Sequence, residues 1–342
     1  MGSFTLEEPM LWPRTRVLTI DANSVVYAAK GYCIYRSEDW GGSWTLDGKL
    51  RTSAVLRLSS GSRLLHRLVR GGIHGVVVLS GGKRLCIGPG VLAAAPAGGD
   101  VYEPTFRIRR GSRPLNVCVA SDGKIYWGEY FDNRRRGEVY IYCSDDAGIS
   151  WDVCHAFPAN SVRHVHRIVF DRYDDSILVC TGDENNECGI YRTADSFRTL
   201  DLLGSGRQIY RTTTLIPATD CILYATDAPL EQNYIMRLER GSDKPVRVHE
   251  LPGPVISSSK IQEKLVVSVM AEGALENAEL WASADFEKWE RITSFRKDRW
   301  PERYFQYGAC FLPEGEAQGP HLFCTPVAVR GFDQMMVRWR FS

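Results

Sequence analysis

Hydrophobic and polar residues alternate along most of this chain in short runs with a period of two. KIYWGEY (124–130), SILVCTG (176–182), CILYATD (221–227) and KLVVSVM (264–270) are typical, each bounded by Gly, Asp, Asn, Pro or Ser. Alternation of this kind, enriched in β-branched and aromatic residues, predicts strands with one face against a core. Runs with a helical period are almost absent. The pattern continues from end to end, so it predicts one all-β domain over residues 1–342.

The strands come in repeating groups. CIYR is followed by SEDWGGSW (37–44), and YIYC by SDDAGISW (144–151). Degraded copies follow at TADSFRTL (193–200) and SADFEKW (283–289). Ser144 and Thr193 are 49 residues apart, and Thr193 and Ser283 are 90 apart, close to two periods. Further copies are therefore expected at YIMRLERGSDKP, near residue 238, and at KRLCIGPG, near Gly88. MMVRWRF (335–341) lies about one period beyond Ser283, which gives seven units. The last unit lacks a strand, and the N-terminal FTLEEPMLW segment can supply it, leaving no long open edge.

The repeated box has a mechanical logic. Ser and Asp side chains tie up local backbone N–H groups in a tight turn. Gly41 and Gly148 allow a positive φ, and Trp44 and Trp151 cover the turn. SEDWGGSW and SDDAGISW resemble the Asp-box of sialidase-like (BNR-repeat) β-propellers. The resemblance implies a seven-bladed β-propeller of four-stranded antiparallel blades, closed by the N-terminal strand joining the last blade. It also implies that the box links the third and fourth strands on the face away from the active site. Asp39 and Asp146 are then structural.

Composition narrows the partners. Forty-two basic residues stand against forty-one acidic ones, which disfavours nucleic acid and acidic membrane as partners. MGSFTLEEPMLWPRTR has no basic and apolar leader pattern, and no apolar run approaches the roughly 20 residues a membrane helix needs. A cytoplasmic location is expected. The ten cysteines form no CxxC pair and read as buried free thiols, with Cys180 and Cys188 the two that a hairpin can bring face to face.

In a propeller, the starts of first strands and the ends of second strands share one end of the channel. Reading those positions predicts a site rich in His, Arg and Tyr. The catalytic candidates are His164, His166, Glu129, Tyr130 and Tyr210. Those for substrate binding are His66, Arg67, Arg211, Asp183, Glu184, Arg303 and Tyr304. Arg forks onto a carboxylate or sulfate while aromatic rings stack on a sugar, so the expected ligand is an anionic saccharide. His164-x-His166 is also a metal-ligand spacing, but no third ligand is evident, and no metal or cofactor is expected.

The expected function is a glycan-processing enzyme, a glycoside hydrolase or a polysaccharide or oligosaccharide lyase. Sialidases carry an Arg-Ile-Pro segment before the first box; it is missing here, and FRIRRG (106–111) does not replace it, so sialidase activity is not expected. The alternative is a non-catalytic platform for a glycan or a protein partner, in which the channel-end charges pair with one another. Four histidines, His74, His155, His249 and His321, lack any reinforcing context.

Overall fold

The computed structural model describes residues 4–341. The chain divides into two compact units, one built from residues up to 78, 95–103 and 256 onward, the other from 79–94 and 104–255.

The first unit holds three four-stranded antiparallel arrays. Thr15–Ile20, Val26–Lys30, Cys33–Ser37 and Thr45–Leu50 form one. Val255–Ile261, Lys264–Val269, Asn277–Ser283 and Glu290–Arg296 form another. The third contains Ala309–Phe311, His321–Val327, Met335–Arg340 and, at its edge, the N-terminal strand Met10–Pro13. Met10 lies opposite Arg338 and Pro13 opposite Met335, so the N-terminal segment pairs with the last strand as its sequence implies. Val266, Leu280, Leu322, Phe323 and Val337 are fully buried in one apolar cluster of this unit.

The second unit holds three more such sheets. They are Cys118–Val119, Ile125–Gly128, Val139–Ser144 and Asp152–Phe157; His164–Asp171, Ser176–Gly182, Gly189–Thr193 and Asp201–Ser205; and Thr212–Pro217, Cys221–Thr226, Asn233–Glu239 and Val246–Leu251. Gly75–Val78, Arg84–Gly88, Val91–Ala95 and Val101–Arg107 follow one another as neighbouring strands of the sheet that also holds Thr15–Ile20 to Thr45–Leu50. Second strands are covered on both faces: every residue of Ser176–Gly182 and of Cys221–Thr226 is buried. That burial explains why these two strands are so uniformly apolar.

The box occupies the turn after the third strand, at Ser37, Ser144, Thr193 and Ser283. The Ser144 hydroxyl donates to Asp146 Oδ1 at 2.8 Å and accepts from the buried Gly148 N–H at 2.9 Å. Asp146 also accepts from the N–H groups of Ile149 (3.0 Å) and Ser150 (2.9 Å), and from the Ser150 hydroxyl (2.6 Å). Gly148 has φ +82°, and a Cβ there would meet Leu85 at 2.8 Å, so a side chain at this position would be both strained and crowded. In the Thr193 copy, Phe197 accepts a φ of 70° and buries its ring in the core.

Three expectations need correction. LLHRLVR is no strand: Ala54–Ser59 and Arg63–Leu68 are short helices, each opened by a serine cap, Ser53 and Ser62. Arg303 and Tyr304 do not begin a strand either; they sit exposed on the helical turn Glu302–Phe305. KRLCIGPG contains the strand Arg84–Gly88 and a turn leading straight into Val91–Ala95, so no box follows Gly88. All ten cysteines are free, Cys180 and Cys188 included.

Candidate functional site

The sequence candidates separate into two places. In the second unit, His164 and His166 lie two apart on the His164–Asp171 strand. Strand pairing shifts register between Val165 and Arg167, so the step falls at His166. Both imidazoles are buried and face one another, Nε2 to Nε2 at 3.1 Å. Asp183, just past the neighbouring strand, brings its Oδ1 to 3.1 Å from His166 Nε2 and 3.3 Å from His164 Nε2. The far side of each ring is fixed by the main chain. His164 Nδ1 lies 2.9 Å from the Phe131 carbonyl oxygen, and His166 Nδ1 lies 3.1 Å from that of Thr212. The Tyr130 ring packs on His164 with centroids 4.3 Å apart.

Arginines close the cluster. Arg163 reaches Asp183 Oδ2 at 3.0 Å and Asp132 at 2.8 Å; Arg211 reaches Asp183 Oδ1 at 3.2 Å and Asp227 at 3.5 Å. Burial works to raise the Asp183 carboxyl, but its contacts with His164 and His166 hold it well below the usual carboxylate range. Burial pushes His166 down and the Tyr130 phenol up to about 12.

The remaining candidates have other partners. Glu129 takes a bidentate grip from Arg110 and accepts the Tyr140 N–H at 3.0 Å. Burial raises its carboxyl in spite of both. Tyr210 is buried and donates to the Asp243 carbonyl at 3.0 Å. Glu184 is an exposed turn residue. Its neighbour Glu187, absent from the expectation, is buried, pairs with Arg136 and accepts the Asp183 and Glu184 N–H groups at 3.2 Å.

His66 and Arg67 belong to the first unit. Arg67 is almost fully buried and is bound by Asp298 at 2.5 Å, by Asp333 at 3.5 Å and by the Phe305 carbonyl. His66 lines a cleft of about 60 Å³. Arg14, Arg16, Arg67, Arg70 and His74 share that wall, with Thr15, Thr325, Gln306 and Gln334, and no acidic side chain lines it. The Arg16 guanidinium lies over the Phe311 ring at 4.3 Å and reaches His74 Nδ1 at 3.3 Å, while His74 Nε2 donates to the Arg70 carbonyl at 3.1 Å. His66 Nδ1 is buried without a hydrogen-bond partner. Burial, then Arg16, lowers the His66 pKa and keeps the ring a neutral hydrogen-bonding group. His74 carries no signal in the sequence, because Arg16 reaches it only through the fold.

No family model and no curated protein matches this chain. Solved structures do. The chain is similar to YCF48 from Cyanidioschyzon merolae, at 12% identity over 99% of both chains and TM-score 0.58. It is similar to the extracellular domain of the putative one-component system BT4673 from B. thetaiotaomicron, at 11% identity, TM-score 0.59, and 96% of this chain against 38% of that one. It also resembles the GH74 enzyme of Niastella koreensis, at 11% identity, TM-score 0.53, and 80% of this chain against 44% of that one. At such identities the likeness is one of fold, and the fold is a β-propeller.

Proposed function

We propose that this chain is a seven-bladed, Asp-box propeller of the sialidase-like kind that binds an anionic saccharide without transforming it. Six four-stranded arrays, with Arg84–Gly88 and Val91–Ala95 as the seat of one more, support the count of seven. Four boxes after third strands support the kinship.

One observation carries the binding reading: the first-unit cleft is lined by four arginines and two histidines with no carboxylate among them. Arginines gathered along one wall suit an anion, which Arg grips through paired N–H groups. Threonine and glutamine side chains beside them offer hydrogen bonds to sugar hydroxyls, and His66 Nδ1 is left without a partner inside the protein. The enzyme reading is weaker because Glu129, Tyr210 and one nitrogen of each histidine already have internal partners. Glu129 holds Arg110, the histidines hold carbonyls, and Tyr210 holds the Asp243 carbonyl.

Calorimetry with uronate and sulfated oligosaccharides, against neutral ones of equal length, tests the reading. Charged ligands bind, more weakly at high salt, and Arg14→Ala and Arg70→Ala each weaken them about tenfold, the effect of losing one charge-assisted contact. Both side chains are exposed, so folding is kept. Equal affinity for neutral sugars, or no loss in either variant, overturns the proposal. New reducing ends or unsaturated uronate in the same samples, abolished by His166→Ala in a protein that still folds, returns the chain to the enzymes.

A further inference from the structure

The His164–His166–Asp183 cluster contains a contradiction in hydrogen count. A ring nitrogen 2.9 or 3.1 Å from a carbonyl oxygen must carry its hydrogen, since the carbonyl has none to give. Each neutral imidazole has one hydrogen, and in both rings it is committed to Nδ1. Both Nε2 atoms therefore present lone pairs. They point at each other across 3.1 Å and at Asp183 Oδ1, a third lone-pair donor, at 3.1 and 3.3 Å. Three electron-rich atoms do not converge at such distances unless something positive sits among them.

We infer that His164 Nε2, His166 Nε2 and Asp183 Oδ1 form a binding site for a divalent transition-metal ion. The spacing suits one. A tetrahedral ion with bonds of about 2.0–2.1 Å holds its donors about 3.3–3.4 Å apart, and an octahedral ion with bonds near 2.1 Å holds adjacent donors about 3.0 Å apart. The observed separations of 3.1, 3.1 and 3.3 Å fall at and between these figures. Two imidazoles and one carboxylate are a donor set of the zinc and non-haem iron class. Metal-binding histidines commonly donate their other N–H to a carbonyl, as both do here to Phe131 and Thr212. Arg163 and Arg211 compete for Asp183, but Asp132 and Asp227 engage the same two guanidiniums. The chain supplies three donors, which leaves coordination positions for an outside ligand.

The competing occupant is a single extra proton shared between the rings, and metal titration separates the two. The full chain, stripped with chelator and titrated with Zn²⁺, is expected to retain one equivalent through gel filtration and to melt at higher temperature. Asp183→Asn keeps the shape of the side chain and removes the anion; it should weaken Zn²⁺ at least tenfold and abolish the thermal shift. Gly182→Ala changes none of the three donor residues, but its new Cβ would lie 2.4 Å from His166 Cε1 and drive that ring off the site. It should lose the ion as well. Co²⁺ should give ligand-field bands without a thiolate charge-transfer band, which separates this site from the ten cysteines. Wild type that retains no metal, or folded Asp183→Asn and Gly182→Ala proteins that bind as tightly as wild type, overturns the inference.

Discussion

Replacing Ser144 by alanine removes one oxygen and separates two roles for the repeated box. That hydroxyl accepts from the Gly148 N–H at 2.9 Å and donates to Asp146 at 2.8 Å, and both Ser144 and Gly148 are buried. Without it the Gly148 N–H has no acceptor, and a buried unsatisfied donor costs about 1–3 kcal/mol. Asp146 keeps Ile149 and Ser150 and can turn its freed lone pair toward water, adding about 0.5 kcal/mol. The expected loss is about 2 kcal/mol. At about 2.1 cal/mol/K for each of 342 residues, the unfolding entropy is near 0.7 kcal/mol/K, so the melting temperature should fall by about 3 °C. Urea unfolding should show a lower midpoint with an unchanged slope. Ser144→Thr should recover most of the loss, because Thr193 makes the same pair of bonds in its own copy, to Asp195 at 3.0 Å and from Phe197 at 3.1 Å. A loss under about 0.5 kcal/mol, no rescue by threonine, or a fall in saccharide affinity at unchanged stability would refute the fastener reading.

Two further outcomes follow from groups the fold has placed. Backbone and hydroxyl donors from Ser43 and Ser37 hold Asp39 at about 2, and Asp146 reaches about 2 because its serine and isoleucine donors outweigh burial. Both folded values lie below the unfolded one, so their stabilisation is complete above about pH 4 and is lost as pH falls toward 2; melting curves for wild type and Asp146→Asn should converge over that interval, and parallel curves would contradict it. Asp171 is fully buried and binds both nitrogens of the Arg240 fork, at 2.8 and 3.0 Å, so Asp171→Asn should cost about 2–3 kcal/mol, less than a wholly buried pair because Arg240 is 23% exposed; a urea midpoint unmoved in that variant would show that the pair contributes nothing.

Much of the architecture was legible because it is local. Alternation located KIYWGEY and SILVCTG as strands, and the box residues lie within eight positions of one another. The N-terminal strand was legible through a deficit, since the final unit lacked one strand. The helices at Ala54–Ser59 and Arg63–Leu68 escaped, although Ser53 and Ser62 are ordinary caps: Leu64, Leu65, Leu68 and Val69 in LLHRLVR also fit a strand, and a short apolar run does not choose. The binding chemistry was less legible. The spacing of His164 and His166 is a local signal, but the third donor, Asp183, is 17 residues on and was legible only as a substrate contact; the strand pairing of His164 with Gly182 brings it to the histidines. Glu129 and Arg67 stand among the site candidates, yet the partners that hold them, Arg110, Asp298 and Asp333, are set by contacts that no local pattern encodes.

The pairing of Met10–Pro13 with Met335–Arg340 also has a temporal side. Met10 and Arg338 are 328 residues apart in the chain, and translation at about 5–20 residues per second separates their appearance by roughly 15–65 seconds. During that interval Met10–Pro13 has no partner, while the sheets between assemble from neighbours only a turn away. This sheet is thus a seam sewn only once Met335–Arg340 has emerged. Its Met10 and Leu11 side chains remain exposed even when it is closed. Until then the unsatisfied edge is open to a second nascent chain, the hazard an unpaired strand presents while a long chain is still being made.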